Sequence, residues 1–183
     1  IISNIIITIF SISVFSASFS ILITKKEFRP FIEAGDIIVV KKIGNKTYKK
    51  GNLVIRSDSP EIIRIISIPG EKVSYRKGRF SIDNSELALS IFNDIDLKSF
   101  SLTEYNVISE SNGDYSYPVL QNPGKFQFSY NLKDNEYYAA PDDRNMTEGF
   151  QIIKPENILG RVEGILFSFK RSDFIIRPLQ INR

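Results

Sequence analysis

Residues 1–24 form an unbroken uncharged run in which fifteen positions are apolar and the rest are Ser, Thr or Asn. As a helix the run would span about 36 Å, more than a hydrocarbon core of ~30 Å. It is expected to be a transmembrane anchor. A cleaved signal peptide, with small residues at Ser16-Ala17-Ser18, and a buried helix are the alternatives. Beyond Lys25 the pattern changes to short apolar runs broken by turn residues. Residues 36–43, 53–56 and 61–68 read as strands, the last stopped by Pro69-Gly70. Residues 72–76 and 79–82 flank Lys77-Gly78 and predict a hairpin. Turn signals then recur from 83 to 135, among them Asn112-Gly113-Asp114. Residues 126–132 and 136–140 predict further strands, 155–159 a helical turn and 160–169 a closing strand. The expected fold class is mainly β, a sandwich or partly open barrel of short strands behind one N-terminal span.

Composition narrows the chemistry. The 183-residue chain contains no Cys and no His. Disulfides, thiolate metal sites, Cys nucleophiles and His-based triads are therefore excluded. Thirty Ile, 14 Phe and 8 Tyr favour strands. A net charge of +3 is too small to argue for a nucleic-acid partner, and no metal or cofactor is expected. Lys25, Lys26 and Arg29 follow the apolar run and, taken alone, put the rest of the chain on the cytoplasmic side. The Tyr137-Tyr138 pair predicts a strand with one ring inward and one outward. Phe28, Phe31 and Ile32 read either as core or as residues that dip into a membrane surface.

Four segments in order carry a resemblance. Pro30, Gly35 and Asp36 are spaced as in a Ser-Met-x-Pro-Thr-Leu box followed by Gly-Asp, with Glu27 in the serine column. Gly51-Asn52-Leu53-Val54-Ile55 is similar to Gly-Asp-x-Val-Val. Arg64-Ile65-Ile66-Ser67-Ile68-Pro69-Gly70-Glu71 is similar to Lys-Arg-Val-Ile-Gly-Leu-Pro-Gly-Asp without its lysine. Pro141-Asp142-Asp143-Arg144-Asn145-Met146-Thr147 is similar to Gly-Asp-Asn-Arg-Asp-Asn-Ser, and Ile158-Leu159-Gly160-Arg161-Val162 to a closing Ile-Ile-Gly-Lys-Val. Together they resemble the signal peptidase I family of membrane-anchored Ser/Lys endopeptidases, and most of all its members that lack the catalytic residues. Residues 25–183 are then expected to be one ectodomain, with a divergent insertion at about 84–134.

The resemblance implies a dyad that the sequence does not supply. Glu27 stands in the serine column and Ile63 in the lysine column; Thr147, Asp142 and Arg144 occupy supporting columns, with Asp142 expected to pair with Arg144. An alkyl side chain cannot take the hydroxyl proton that a buried neutral lysine accepts. Ser67 with Lys72 is the candidate rescue pair: strand alternation puts Ser67 on the same face as Ile63, but Lys72 lies beyond the Pro-Gly turn and is expected to be a solvated surface lysine. The expected catalytic set is therefore empty. A peptide groove is expected between strands 36–43 and 61–68, with Pro30, Asp36, Ile37, Ile65 and Ser67 along it and Gly35, Pro69 and Gly70 as structural turn residues. The charge on Glu27 is expected to favour a bound segment with Lys or Arg.

The resemblance further implies an ectodomain outside the cytoplasm, opposite to the flanking charges. The expected partners are the lipid bilayer and segments of exported or surface proteins, with a sortase or pilus subunit nearby. An active signal peptidase and a purely structural membrane β-domain are the competing readings.

Overall fold

A computed structural model describes residues 18–59, 61–91, 107–121 and 125–170, together with the two short strands at 177–178 and 181–182. Sixteen strands and two single-turn 3-10 helices build it. The largest sheet contains β1 (Phe19–Ile23), β2 (Ile37–Lys41), β3 (Leu53–Arg56), β4 (Ile62–Ser67), β12 (Tyr137–Ala140), β13 (Gln151–Ile153) and β14 (Ile158–Phe167). Their order across the sheet is β1-β2-β14-β3-β4-β12-β13, with β15 (Arg177–Pro178) paired to β14. A second sheet is ordered β16-β10-β9-β8, from Ile181–Asn182, Tyr115–Leu120, Val107–Asn112 and Ala88–Ile91. A third is ordered β11-β5-β6-β7, from Phe128–Asn131, Lys72–Arg76, Arg79–Ile82 and Ser85–Glu86.

Local chemistry explains most of these elements. The β5–β6 hairpin closes on Lys77 and Gly78, both at positive φ, the geometry whose twist suits a two-residue hairpin loop. Gly70 turns the chain after Pro69 at φ 84°, where a side chain would be strained. Strands β3 and β4 are apolar at most positions, the exceptions being Arg56, Arg64 and Ser67, because both faces are covered. Leu53, Ile55 and Ile62 pack with Phe28, Ile32, Ile38, Val40, Val162 and Ile165. Val54, Ile63 and Ile65 pack on Tyr48, Tyr137, Ala139, Ile153 and Ile158. A third cluster, around Ile66, Val73, Tyr75, Phe80, Leu132 and Tyr138, joins the large sheet to the third one.

Several expectations change. Residues 19–23, assigned above to the end of the anchor, form β1 and pair in register with β2, from Phe19↔Lys41 to Ile23↔Ile37. Residues 1–17, the rest of the expected anchor, lie outside the described residues. Among the described residues no helix is long and apolar enough to cross a membrane. Phe28 and Ile32 are core residues, and Phe31 packs half-buried against them. Tyr137 and Tyr138 are both buried, because the two faces of β12 enter two different clusters. The helical turn at 155–159 is a 3-10 turn over Pro155–Asn157.

The expected groove between β2 and β4 does not form. Strands β14 and β3 lie between them, and each of the two is paired along both edges: β2 with β1 and β14, β4 with β3 and β12.

Candidate functional site

Two cavities border the large sheet and share Arg56 and Ile62. One, of ≈ 320 Å³, is lined by Leu22, Ile23, Thr24 and Lys25 and by Ile55, Ser57, Asp58 and Ser59, among others. The other, of ≈ 700 Å³, is lined by Lys26, Glu27, Phe28 and Arg29, by Glu61 and Ile63, and by residues of the 141–151 segment. The two cavities thus follow the chain from Leu22 to Arg29 on one side and from Ile55 to Ile63 on the other. At Leu22 and Ile23 the outer edge of β1 pairs with no described strand. An ion pair, Lys26 Nζ to Glu61 Oε1 at 3.3 Å, links the two sides.

Glu27 and Ile63, the positions expected for the dyad, both border the larger cavity. Glu27 is 47% exposed in its side chain and is held by Arg29 at 2.8 Å. Ile63 is 3% exposed and packs among Val54, Tyr137 and Ile153. A carboxylate in an ion pair and a packed alkyl group offer neither the hydroxyl nor the amine of a Ser/Lys pair. The rescue pair is closed as well. Ser67 is fully buried and its hydroxyl donates to Glu71 Oε2 at 2.8 Å. Lys72 is exposed, with its ammonium on Asn84 Oδ1 at 3.3 Å.

The other expected groove residues lie elsewhere. Asp36 closes a turn, its Oδ2 accepting the Glu33 N–H at 3.0 Å. Ile65 and Ser67 are completely buried in β4, Ile37 is half-buried in β2, and Pro30 is buried behind the cavity-lining segment. None of the five lines either cavity. Gly35 and Gly70, expected as turn residues, both have positive φ. Thr147 opens a 3-10 turn, Thr147–Gly149, and is half-buried without lining the cavity.

Behind the larger cavity sits a buried ionic network that fixes the start of its third wall. Arg64 and Asp142 are 0% and 1% exposed. The Arg64 guanidinium grips Asp142 through two parallel bonds, Nε to Oδ1 at 2.7 Å and Nη2 to Oδ2, while Nη1 donates to Gly51 O at 2.7 Å. The expected Asp142–Arg144 pair is therefore corrected: the partner of Asp142 comes from β4, 78 residues away. Arg144 instead donates to Glu110 Oε1 at 2.6 Å and to the Pro141 carbonyl. The Tyr117 hydroxyl donates to the same Glu110 oxygen at 2.9 Å, and the Arg64 guanidinium lies 3.9 Å from the Tyr117 ring centroid.

Burial depresses the Arg144 guanidinium, and Glu110, Tyr117 and Asp142 together more than restore it, so it stays charged. Burial, then the Glu110 charge, pushes the Tyr117 phenol well above its ordinary range. Glu110 and Tyr117 belong to the segment with little motif content, and only a buried-polar reading of β9 and β10 would have found them.

This arrangement is a strand-built cleft with a charge-locked rear wall. The model of the signal peptidase, peptidase S26 family matches residues 1–167. The chain belongs to the signal peptidase S26 family. No curated protein matches it. Among solved structures, a signal peptidase I from Enterococcus faecalis V583 is similar, with 16% identity, 63% of this chain and 96% of that chain covered, and a TM-score of 0.36. In this signal peptidase S26 member, Arg64, Asp142 and Arg144 form a buried ionic frame, and Glu27 and Ile63 border the larger cavity in front of it.

Proposed function

We propose that this signal peptidase S26 member holds an extended segment of an exported protein without cutting it, on the outer side of the membrane. In that role it assists assembly of surface proteins, such as pilus subunits beside a sortase. The observation that carries the reading is that Glu27, ion-paired with Arg29, and the packed Ile63, the two positions expected for the dyad, border one cavity. Backbone at the outer edge of β1 can accept an added strand, and the two cavities, which share Arg56 and Ile62, offer space for alternate side chains of that strand. No Ser, Thr or Tyr is among the residues that line the larger cavity. Carboxyl-only peptide hydrolysis uses two coupled acids, whereas the Glu27 carboxylate is held by Arg29.

The test is site-specific photocrosslinking on the full chain in lipid vesicles, with an exported precursor as target. Crosslinkers at Ile23 and Glu27 should capture intact precursor, and one at Lys133, on an exposed turn away from both cavities, should not. Equal capture from all three positions, or none from any, would remove the groove and favour a structural role.

A further inference from the structure

Charge around the larger cavity is unevenly matched. Its lining holds the cations Lys26, Arg29 and Arg56 and the carboxylates Glu27, Glu61, Asp143 and Glu148. Every cation is engaged: Lys26 with Glu61 at 3.3 Å, Arg29 with Glu27 at 2.8 Å, and Arg56 with Asp58 at 2.6 Å and with Glu61 at 3.5 Å. Among the described residues, Asp143 and Glu148 form no ion pair. Asp143 is buried, and its Oδ1 accepts the Asn145 backbone N–H at 3.0 Å and the Asn145 side-chain amide at 2.8 Å. Glu148 stands exposed on the 3-10 turn that follows.

Apolar residues share the same space: Ile62, Ile63, Pro141 and Met146. Hydrocarbon walls beside two uncompensated carboxylates match a side chain with an apolar stem and a cationic head. A neutral small residue would leave those carboxylates unmatched, and an acidic one would be repelled.

We propose that the segment held in the groove places a Lys or Arg side chain in the larger cavity, with its charged head toward Asp143 and Glu148. This rests on the groove reading above and names its partner's chemistry. It also moves the source of the selecting charge. The sequence pointed to Glu27, but Glu27 is already neutralised by Arg29.

The test uses the full chain in lipid vesicles and three fluorescent decapeptides of Ala, Ser and Val that differ only at the sixth position: Lys, Ala or Glu. The Lys peptide should bind about tenfold tighter than the Ala peptide, and the Glu peptide weaker than either. Glu148→Gln, on the surface, should reduce the Lys-over-Ala ratio to about threefold. Adding Asp143→Asn, which keeps the acceptor used by Asn145, should bring it to about one. Equal binding of the Lys and Ala peptides, or a ratio unchanged in the double variant, overturns this inference and leaves the groove standing. Failure of all three peptides to bind overturns the groove and this inference together.

Discussion

The segment from Pro141 to Gly149 has two halves that treat charge in opposite ways. In its first half, Asp142 and Arg144 are almost fully removed from water, and each is matched by a distant partner, Arg64 or Glu110. In its second half, Glu148 is exposed beside the cavity and meets no described cation. Removing one partner of a buried ion pair strands the other charge, so Asp142 and Arg144 tolerate almost no change. An exposed charge costs little to leave unpaired and stays available to a ligand. Paired framework charges and a carboxylate left open to a ligand thus lie within nine residues of each other.

The sharpest break of this contrast is removal of one buried partner. Asp142→Ala leaves the Arg64 guanidinium charged and enclosed, and should cost about 3–5 kcal/mol in chemical denaturation. Arg64→Met combined with Asp142→Leu should recover much of that loss, because no charge is then stranded. A double variant as unstable as the single would mean that Arg64 acts through Gly51 O and the Tyr117 ring rather than through the ion pair.

Tyr117 sharpens the same comparison through pH. Its phenol is raised above the ordinary value of 10.0 by burial first and by the Glu110 charge second. A group raised in the folded state contributes stability that is fully present below its unfolded value and is lost as pH rises beyond it. The folded protein should therefore lose stability above about pH 10. Tyr117→Phe should flatten that alkaline slope while costing about 1 kcal/mol near neutrality, where the bond to Glu110 is lost. An unchanged alkaline slope in Tyr117→Phe would place its origin in another tyrosine; Tyr138 is also raised by burial.

The smallest effect belongs to the exposed side. Lys26 and Glu61 are 69% and 38% exposed in their side chains, so Lys26→Ala should change stability by less than about 1 kcal/mol. A larger loss would show that this pair clamps the two sides of the cleft instead of resting across them.

The same split governed what was legible in the sequence. The β5–β6 hairpin could be read because alternation and the Lys77-Gly78 turn agree. Strand β1 could not, because an uninterrupted apolar run has no period that separates helix from strand. Strands β9 and β10 were visible only as a turn at Asn112-Gly113-Asp114. Their buried polar residues look like surface until their partners are known: Arg144 for Glu110, and the Ile66 carbonyl, 2.8 Å from the Asn112 side-chain amide. For Asp142, nearness in sequence suggested Arg144, while the fold supplied Arg64 from β4. At the site, the columns of Glu27 and Ile63 came from motif spacing, and both border one cavity. The charge balance of that cavity needed three dimensions, since its lining comes from three separate stretches of chain.

The central claim is that the cleft holds a segment and leaves its peptide bonds intact. The direct measurement is intact-mass spectrometry of an exported precursor after incubation with the full chain in lipid vesicles, combined with recovery of the precursor on the vesicles. The account predicts full-length precursor that co-sediments with the protein, also in the single variants Glu27→Ser and Ile63→Lys, with cleavage requiring both changes together. A precursor shortened at one defined bond by the unmodified chain, with the product lost in Glu27→Gln, would contradict it.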